Sequence, residues 1–206
     1  MLATLVGELL YGVTRFLVGG HSIWRGSQPE ARQRIYFANH ASHLDTMVVM
    51  AALPPRLRAT THPVAAADYW GRGSLRRFIA LKVLRATLVE RGGSEDPLAP
   101  LRATLESGES LVIFPEGTRR NESRPGNFKS GLYWLARDRP ELELVPVYLS
   151  NLARAFPKGA LIPVPITCVA HFGEPLQVEE GEEKDAFLAR AHAAVCALAP
   201  QELADE

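Results

Sequence analysis

Two histidines, a serine and an aspartate lie close together in the segment FANHASHLDT, which begins at Phe37. A neutral imidazole can take a proton from a hydroxyl group, and it does so better when a carboxylate hydrogen-bonds its other ring nitrogen. His40 and Asp45 have four residues between them, a spacing that lets a loop entering a helix bring ring and carboxylate together. The pair therefore predicts a general base with its orienting carboxylate. No serine or cysteine accompanies it in a recognised nucleophile elbow, which favours direct transfer to a substrate hydroxyl over a covalent intermediate.

Two other interpretations of this segment stay open at this point. Ser42 or Asp45 could simply cap the helix that follows. His40, His43 and Asp45 could also supply three ligands to a metal ion, although no glutamate lies between the histidines as it does in a zincin helix. The other histidines are scattered without paired spacing, and neither cysteine belongs to a metal-binding pattern. We therefore expect no metal.

A second polar segment, FPEGTRR, follows the apolar run SLVIF and spans Phe114–Arg120. Pro115 ends the predicted strand, and Gly117 permits a turn with close approach of a ligand. Arg119 could hold a phosphate through two parallel hydrogen bonds. A surface turn in which Glu116 and Arg119 satisfy each other is the alternative.

Together the two segments resemble the glycerophospholipid acyltransferases, typified by the 1-acylglycerol-3-phosphate (lysophosphatidate) acyltransferases. The family's motif N-H-x-S-x-x-D is matched by four residues: Asn39, His40, Ser42 and Asp45. Its motif F-P-E-G-T-R is intact at residues 114–119. The segment TLVERG with Arg91, the V-P-V stretch at 145–147 and FKSGLYWLA at 128–136 are similar to further family segments in the same order. The resemblance covers roughly residues 33–173.

This resemblance implies an O-acyltransferase that uses no metal or other cofactor. His40, oriented by Asp45, removes the proton of a lipid hydroxyl, which attacks the thioester of acyl-CoA or acyl-carrier protein as co-substrate. The resemblance also assigns a phosphate-binding group: Arg119, Arg91 and Lys129. It assigns Glu116, Gly117 and Thr118 to the same acceptor site. Asn39 and Ser42 support the catalytic pair.

The acceptor that the resemblance favours is 1-acylglycerol-3-phosphate, with phosphatidate as the product. Glycerol-3-phosphate or another lysolipid is an alternative, because VAAADYW has Ala66 and Ala67 where many members carry a basic residue. Arg72, Arg76 or Arg77 could replace that contact. A lipid thioesterase or hydrolase with the same His-Asp site is a second alternative, and a lipid-binding module without turnover is a third.

The first 20 residues predict an amphipathic helix ahead of an acyltransferase domain at 21–206. Apolar residues recur at helical spacing, while Glu8 and Arg15 interrupt the run and Gly19-Gly20 ends it, so it is too short to span a bilayer. The helix either lies in a membrane interface or packs on the protein's own core. With the resemblance, the first interpretation predicts a peripheral protein on the cytoplasmic face of a membrane.

The elements that position these segments alternate between short apolar strands and helical patterns, which predicts a single α/β domain with a largely parallel or mixed sheet flanked by helices.

The 206 residues are 47% hydrophobic and carry no formal net charge, which gives no electrostatic reason to expect nucleic acid as a partner. Between residues 56 and 91, eight basic side chains face only two acidic ones. That stretch indicates an anionic ligand or surface. The expected partners are therefore a lysophospholipid, an acyl thioester with or without its carrier protein, and a membrane surface.

Overall fold

The structure is a computed structural model that describes residues 2–42, 44–71, 73–90, 96–119, 124–155, 164 and 166–200. Its centre is one sheet with the strand order β1-β7-β6-β2-β5-β3-β4. The strands in the described part of the chain are β1 (Gly19–Trp24), β2 (Arg34–Ala38), β3 (Thr61–Ala66), β4 (Thr87–Val89), β5 (Ser110–Ile113), β6 (Glu143–Ser150) and β7 (Cys168–Phe172). Every neighbouring pair is parallel except β6 and β7. The predicted single α/β domain with a mostly parallel, mixed sheet is confirmed.

Helices cover both faces of this sheet. The helices that the structure describes are α1 (Leu2–Val18), α2 (Asp45–Ala52), α3 (Pro55–Arg58), α4 (Ala67–Trp70), α5 (Ser74–Phe78), α6 (Ala99–Glu106), α7 (Gly131–Asp138), α8 (Leu152–Ala155) and α9 (Lys184–Cys196), with a π-helical turn at Ile79–Val83. One core forms between the sheet, α1, α2 and the π-helical turn, and the other between the sheet, α6, α7 and α9. The two cores explain why β2 and β5 are apolar runs without alternation, since strands covered on both faces are buried throughout.

The boundaries of two helices follow from local sequence signals. Pro54, directly after the helix and its last cap residue, prevents α2 from continuing. Gly108 follows α6 with a φ of 81°, a left-handed conformation that favours glycine. The apolar spacing within residues 73–85 suits one continuous helix, but this stretch is divided between α5 and the wider π-helical turn before the chain enters β4.

Strand β1 is an element that the sequence analysis did not predict. Gly19 and Gly20 end α1 as expected, but both adopt positive φ angles and the chain then continues directly as a strand beside β7. The segment GGHSIW has few β-branched or aromatic residues, so its propensity for strand is weak. Its pairing with β7 therefore depends on tertiary contacts that propensity does not capture.

Helix α1 packs on the domain through a narrow stripe of four residues: Gly7, Tyr11, Thr14 and Val18. A Cβ on Gly7 would lie 2.8 Å from the carbonyl oxygen of Val83, so the close contact with the π-helical turn requires glycine. The guanidinium of the buried Arg58 binds the carboxylate of Glu8 from below the helix. None of the helices in the described part of the chain combines the length and apolar character that crossing a membrane takes.

Parallel pairing of β2 with β5 positions the two polar segments beside each other. Phe37 lies opposite Ile113, so both strands end at the same edge of the sheet. Segment 39–45 leaves the end of β2, and segment 114–119 leaves the end of β5. Ligands gather at this edge in open α/β sheets.

Candidate active site

The imidazole of His40 is hydrogen-bonded to the carboxylate of Asp45. The distance from Nδ1 of His40 to Oδ2 of Asp45 is 2.7 Å, and the Asp45 side chain is fully buried. Nδ1–H therefore donates to the carboxylate, which leaves Nε2 as the basic nitrogen of the ring. The His40 side chain keeps 18% of its surface exposed, so a substrate hydroxyl can approach it. The predicted general base and its orienting carboxylate thus have the geometry that the chemistry requires.

Asp45 also organises the loop that carries His40. Its Oδ2 accepts hydrogen bonds from the backbone N–H groups of Ala41 at 2.7 Å and Ser42 at 2.9 Å. These donors precede helix α2, whose N-cap position is Leu44 without a side-chain cap. Asp45 therefore does not serve as the cap of α2, because its carboxylate binds the loop and the imidazole.

Asn39 and Ser42, on either side of His40 in the chain, both form hydrogen bonds to backbone groups. The side-chain amide of Asn39 pairs with the backbone of Leu149 on β6, accepting at 2.7 Å and donating at 3.3 Å. Asn39 thereby extends the pairing of β2 with β6 by one residue past the end of the strand. The hydroxyl oxygen of the buried Ser42 accepts from the backbone N–H of Leu44 at 3.3 Å. Both residues shape the backbone on either side of His40.

The ring of Phe114 stacks on the imidazole of His40, with ring centroids 4.4 Å apart and 21° between the planes. Phe114 was not among the site residues predicted from the sequence. Its position as the first residue of F-P-E-G-T-R was the available signal. Together with Asp45, the phenyl ring holds the imidazole plane in one orientation.

Glu116 joins the two loops through the backbone. One carboxylate oxygen accepts from the N–H of His40 at 2.8 Å, and the other accepts from the N–H of Gly126 at 2.8 Å. The residue is only 5% exposed. The resemblance assigns Glu116 to the acceptor site; in the structure its two oxygens accept from the backbone N–H groups of His40 and Gly126.

Gly117 contacts Lys129, and Thr118 and Arg119 follow Gly117 in the chain. Gly117 has a φ of 69°, and a Cβ there would lie 2.7 Å from Nζ of Lys129. Glycine at 117 is thus required both by the backbone and by the lysine that crosses it. The backbone N–H of Lys129 binds the carbonyl of Pro115 at 2.8 Å, which keeps the two segments together. Thr118, Arg119 and Lys129 are exposed, as groups that meet a soluble headgroup would be.

Arg91 and His43 lie outside the described residues, so their predicted roles stay predictions. Cys168, the first residue of β7, is buried in the core that the sheet forms with α1 and α2. Burial, and next the negative charge of Asp45, raise the pKa of the Cys168 thiol to about 11. The thiol is therefore protonated at neutral pH and is a poor nucleophile.

Comparison with known proteins places this geometry in a family. The family model described as Acyltransferase matches residues 25–150. A 1-acyl-sn-glycerol-3-phosphate acyltransferase of Limnanthes alba is 29% identical over 174 residues, which cover 81% of this chain and 59% of the plant protein. The human 1-acyl-sn-glycerol-3-phosphate acyltransferase alpha is 25% identical over 148 residues, covering 70% of this chain and 48% of the human protein. The chain thus spans about half to three fifths of the length of these relatives.

A solved structure shows the same fold. The crystal structure of the 1-acyl-sn-glycerophosphate acyltransferase PlsC from Thermotoga maritima superposes with a TM-score of 0.74 at 18% identity, covering 99% of this chain and 80% of that one. The resemblance drawn from the two sequence motifs is confirmed, and the match of residues 25–150 includes both of them. The chain belongs to the Acyltransferase family.

Proposed function

We propose that this protein transfers an acyl group from a thioester to the free hydroxyl of a lysophospholipid, with 1-acylglycerol-3-phosphate as the principal acceptor and phosphatidate as the product. The observation that carries the proposal is the 2.7 Å contact between His40 and the buried Asp45, beside the loop of Glu116. The curated relatives described above are named for this reaction.

The proposed reaction begins with a proton transfer. Nε2 of His40 takes the proton of the acceptor hydroxyl as its oxygen attacks the thioester carbonyl carbon, and Asp45 stabilises the imidazolium that forms. The tetrahedral intermediate collapses by breaking the C–S bond. The departing sulfur takes the proton back from Nε2, so the products are an ester and a thiol, and the enzyme returns to its starting state. No metal ion or other cofactor enters these steps.

The proposed acceptor site lies on the loop after β5. Arg119 and Lys129 are exposed cations on the segment that Glu116 ties to His40, and they suit a phosphomonoester. Arg91 is proposed as a third phosphate ligand on the strength of the sequence resemblance. The donor is acyl-CoA or acyl-carrier protein.

We also propose that the protein acts at a membrane surface, on the cytoplasmic side where these donors occur. Eight large apolar side chains of α1 are exposed: Leu2, Leu5, Val6, Leu9, Leu10, Val13, Phe16 and Leu17. A helix that buries only one narrow stripe against its domain and exposes this much apolar surface suits an interfacial position. Both the acceptor and the product of the proposed reaction are lipids of such a surface.

The test is release of free thiol from acyl-CoA by the purified protein with a panel of lysolipids. We expect release to depend on an acceptor, to be fastest with 1-acylglycerol-3-phosphate, and to fall by at least about a hundredfold in His40→Ala. Arg119→Ala should raise the KM for the acceptor more than it lowers kcat.

The alternatives predict different results. A thioesterase releases thiol at the same rate without any acceptor, and a binding module releases none. Equal rates with acceptors that lack a phosphate would show that the proposed phosphate site is wrong.

A further inference from the structure

Helix α5 is exposed along its whole length, and two of its five residues are large and apolar. Leu75 is 70% exposed and Phe78 is 53% exposed, while the adjoining Tyr69 of α4 is 46% exposed. Exposed apolar residues are ordinary when they are scattered singly, but a contiguous group marks a surface that meets lipid or another apolar partner.

Helix α5 belongs to the same layer as α1. The chain runs from α5 directly into the π-helical turn, whose Val83 contacts Gly7 of α1. Tyr11 and Val83 are buried in the same core cluster, on one face of the sheet. The exposed apolar residues of the two helices therefore lie on the same side of the domain.

This layer reaches the edge of the sheet where the active site lies. Gly19, the residue after α1, pairs with Cys168 on β7. The next residue of β7, Val169, pairs with Ser150, the last residue of β6. Ala66, which precedes α4, ends β3 at the same edge. A surface that contacts α1 and the α4–α5 segment together would thus border the entrance to the catalytic His40.

The charges of the α4–α5 segment distinguish it from α1. Arg76 and Arg77 are exposed on α5, and Lys82 is exposed on the π-helical turn that follows. Asp68 is the carboxylate within this stretch of sequence, and Arg77 also lines a surface pocket with Glu90 and Asp96. The guanidinium of Arg76 lies 5.0 Å from the centre of the Tyr69 ring, an aromatic-cationic pair at the exposed end of the segment. Apolar side chains interleaved with arginines complement a bilayer interface that carries negative headgroups.

We propose that α5 is a second membrane-contacting element, which together with α1 docks the domain and makes the docking selective for anionic lipid. This inference rests on the proposed action at a membrane surface, but it concerns binding only and does not require the proposed acyl transfer. Leu75 and Phe78 enter the interface, while Arg76 and Arg77 stay at the level of the lipid phosphates.

The test is flotation of the full chain with two kinds of vesicle in the absence of any acyl donor. One kind contains phosphatidylcholine alone, and the other contains roughly a third of phosphatidylglycerol, a proportion that imposes a negative surface potential. We expect the wild-type protein to bind both, and the anionic vesicles more tightly. Neutralising both arginines in Arg76→Gln/Arg77→Gln should weaken binding to the anionic vesicles by roughly thirtyfold and leave binding to phosphatidylcholine unchanged.

Two further variants keep the test specific. Leu75→Ser/Phe78→Ser should weaken binding to both vesicle types by on the order of tenfold or more, since it removes exposed apolar surface without opening a core. Arg137→Gln is the matched control, because Arg137 lies 5.1 Å from the Trp134 ring on α7, which packs on the other core. Its binding should equal that of the wild type.

Several results would overturn the proposal. They are wild-type protein that floats with neither vesicle, an unchanged preference for anionic vesicles in Arg76→Gln/Arg77→Gln, or an equal loss in Arg137→Gln. A loss of turnover confined to an acidic carrier-protein donor, with vesicle binding intact, would assign the two arginines to the donor instead. The vesicle binding can fail while acyl transfer to a soluble short-chain lysolipid persists, so the two proposals are separable.

Discussion

The backbone N–H of His40 donates a hydrogen bond to Oε1 of Glu116 at 2.8 Å. Glu116 lies in the loop after β5, so this bond connects that loop to the loop after β2. The second oxygen of the same carboxylate accepts from the backbone N–H of Gly126. The orientation of the His40 imidazole therefore depends on the buried carboxylate of Glu116, in the loop after β5, as well as on Asp45. The relationship explains why the two segments belong to one site although His40 and Glu116 are 76 positions apart in the sequence.

Replacing Glu116 with Gln should lower kcat more than it changes the acceptor KM. The glutamine turns its amide N–H₂ toward one backbone N–H, which weakens the hydrogen bonds to His40 and Gly126. Hydrogen bonds to charged groups contribute about 1.5–3 kcal/mol, or roughly 10- to 100-fold in rate. Steady-state kinetics with varied acceptor measures the split. Glu143→Gln is the control: its carboxylate pairs with Arg34 at the opposite edge of the sheet and should affect stability without affecting kcat. A raised acceptor KM at constant kcat in Glu116→Gln would instead place the carboxylate on the acceptor.

Asp45→Asn and His40→Ala should differ in their effects on the fold. Both should reduce kcat, by on the order of 10²- to 10⁴-fold, since His40→Ala removes the base and Asp45→Asn removes its orienting charge. Only Asp45→Asn should also lower the thermal unfolding midpoint, because the buried carboxylate binds the N–H groups of Ala41 and Ser42. Activity measurements combined with thermal melts separate these effects. Equal melting temperatures for the two variants would mean that Asp45 does not hold the loop.

The sequence predicted the sheet and the contact between His40 and Asp45 because both have local signals. Apolar runs such as SLVI mark strands buried on both faces, and the spacing of His40 and Asp45 is a short-range pattern. The segments that follow β2 and β5 lie at one edge of the sheet because these two strands are parallel and end together.

The other features depend on contacts between distant residues. The stacking of Phe114 on His40 and the two backbone bonds of Glu116 involve partners that only the pairing of β2 with β5 brings together. Strand β1 forms because β7 offers it a partner, which its own weak propensity does not reveal. These contacts are tertiary, so the motif F-P-E-G-T-R can mark Phe114 and Glu116 as residues of interest but does not show which groups they contact.

Arg58 should contribute more to stability than the exposed ion pairs of the surface. Its guanidinium donates to the carbonyl oxygens of Met50 and Leu53 at the end of α2, and it binds Glu8 on α1. Arg58→Met should lower the free energy of unfolding by about 2–3 kcal/mol, because two buried carbonyls lose their donor. Glu8→Gln should cost less than about 1 kcal/mol, since that carboxylate is half-exposed.

Denaturant unfolding of both variants measures these differences. Arg56→Met serves as the control, because the exposed Arg56 donates only to the carbonyl of Pro29 and its removal should change stability little. If Arg58→Met and Arg56→Met are equally stable, the link between α1 and α2 does not depend on Arg58.

His171 on β7 should make the fold sensitive to acid. Burial, and next the positive charge of Arg25, lower the pKa of His171, and its Nδ1 has no hydrogen-bond partner in the described part of the chain. Because folding lowers the pKa of His171, this side chain binds a proton less readily in the folded protein than in the unfolded chain, where histidine titrates near pH 6.5. This contribution to stability is therefore complete above that pH and is lost as the pH falls below it, by up to roughly 1.4 kcal/mol per pH unit. Denaturant titrations between pH 7.5 and about 5 should show a shallower loss in His171→Gln than in the wild type. His21→Gln, on the exposed side of neighbouring β1, should keep the wild-type slope, and parallel slopes in all three proteins would exclude His171 as the group responsible.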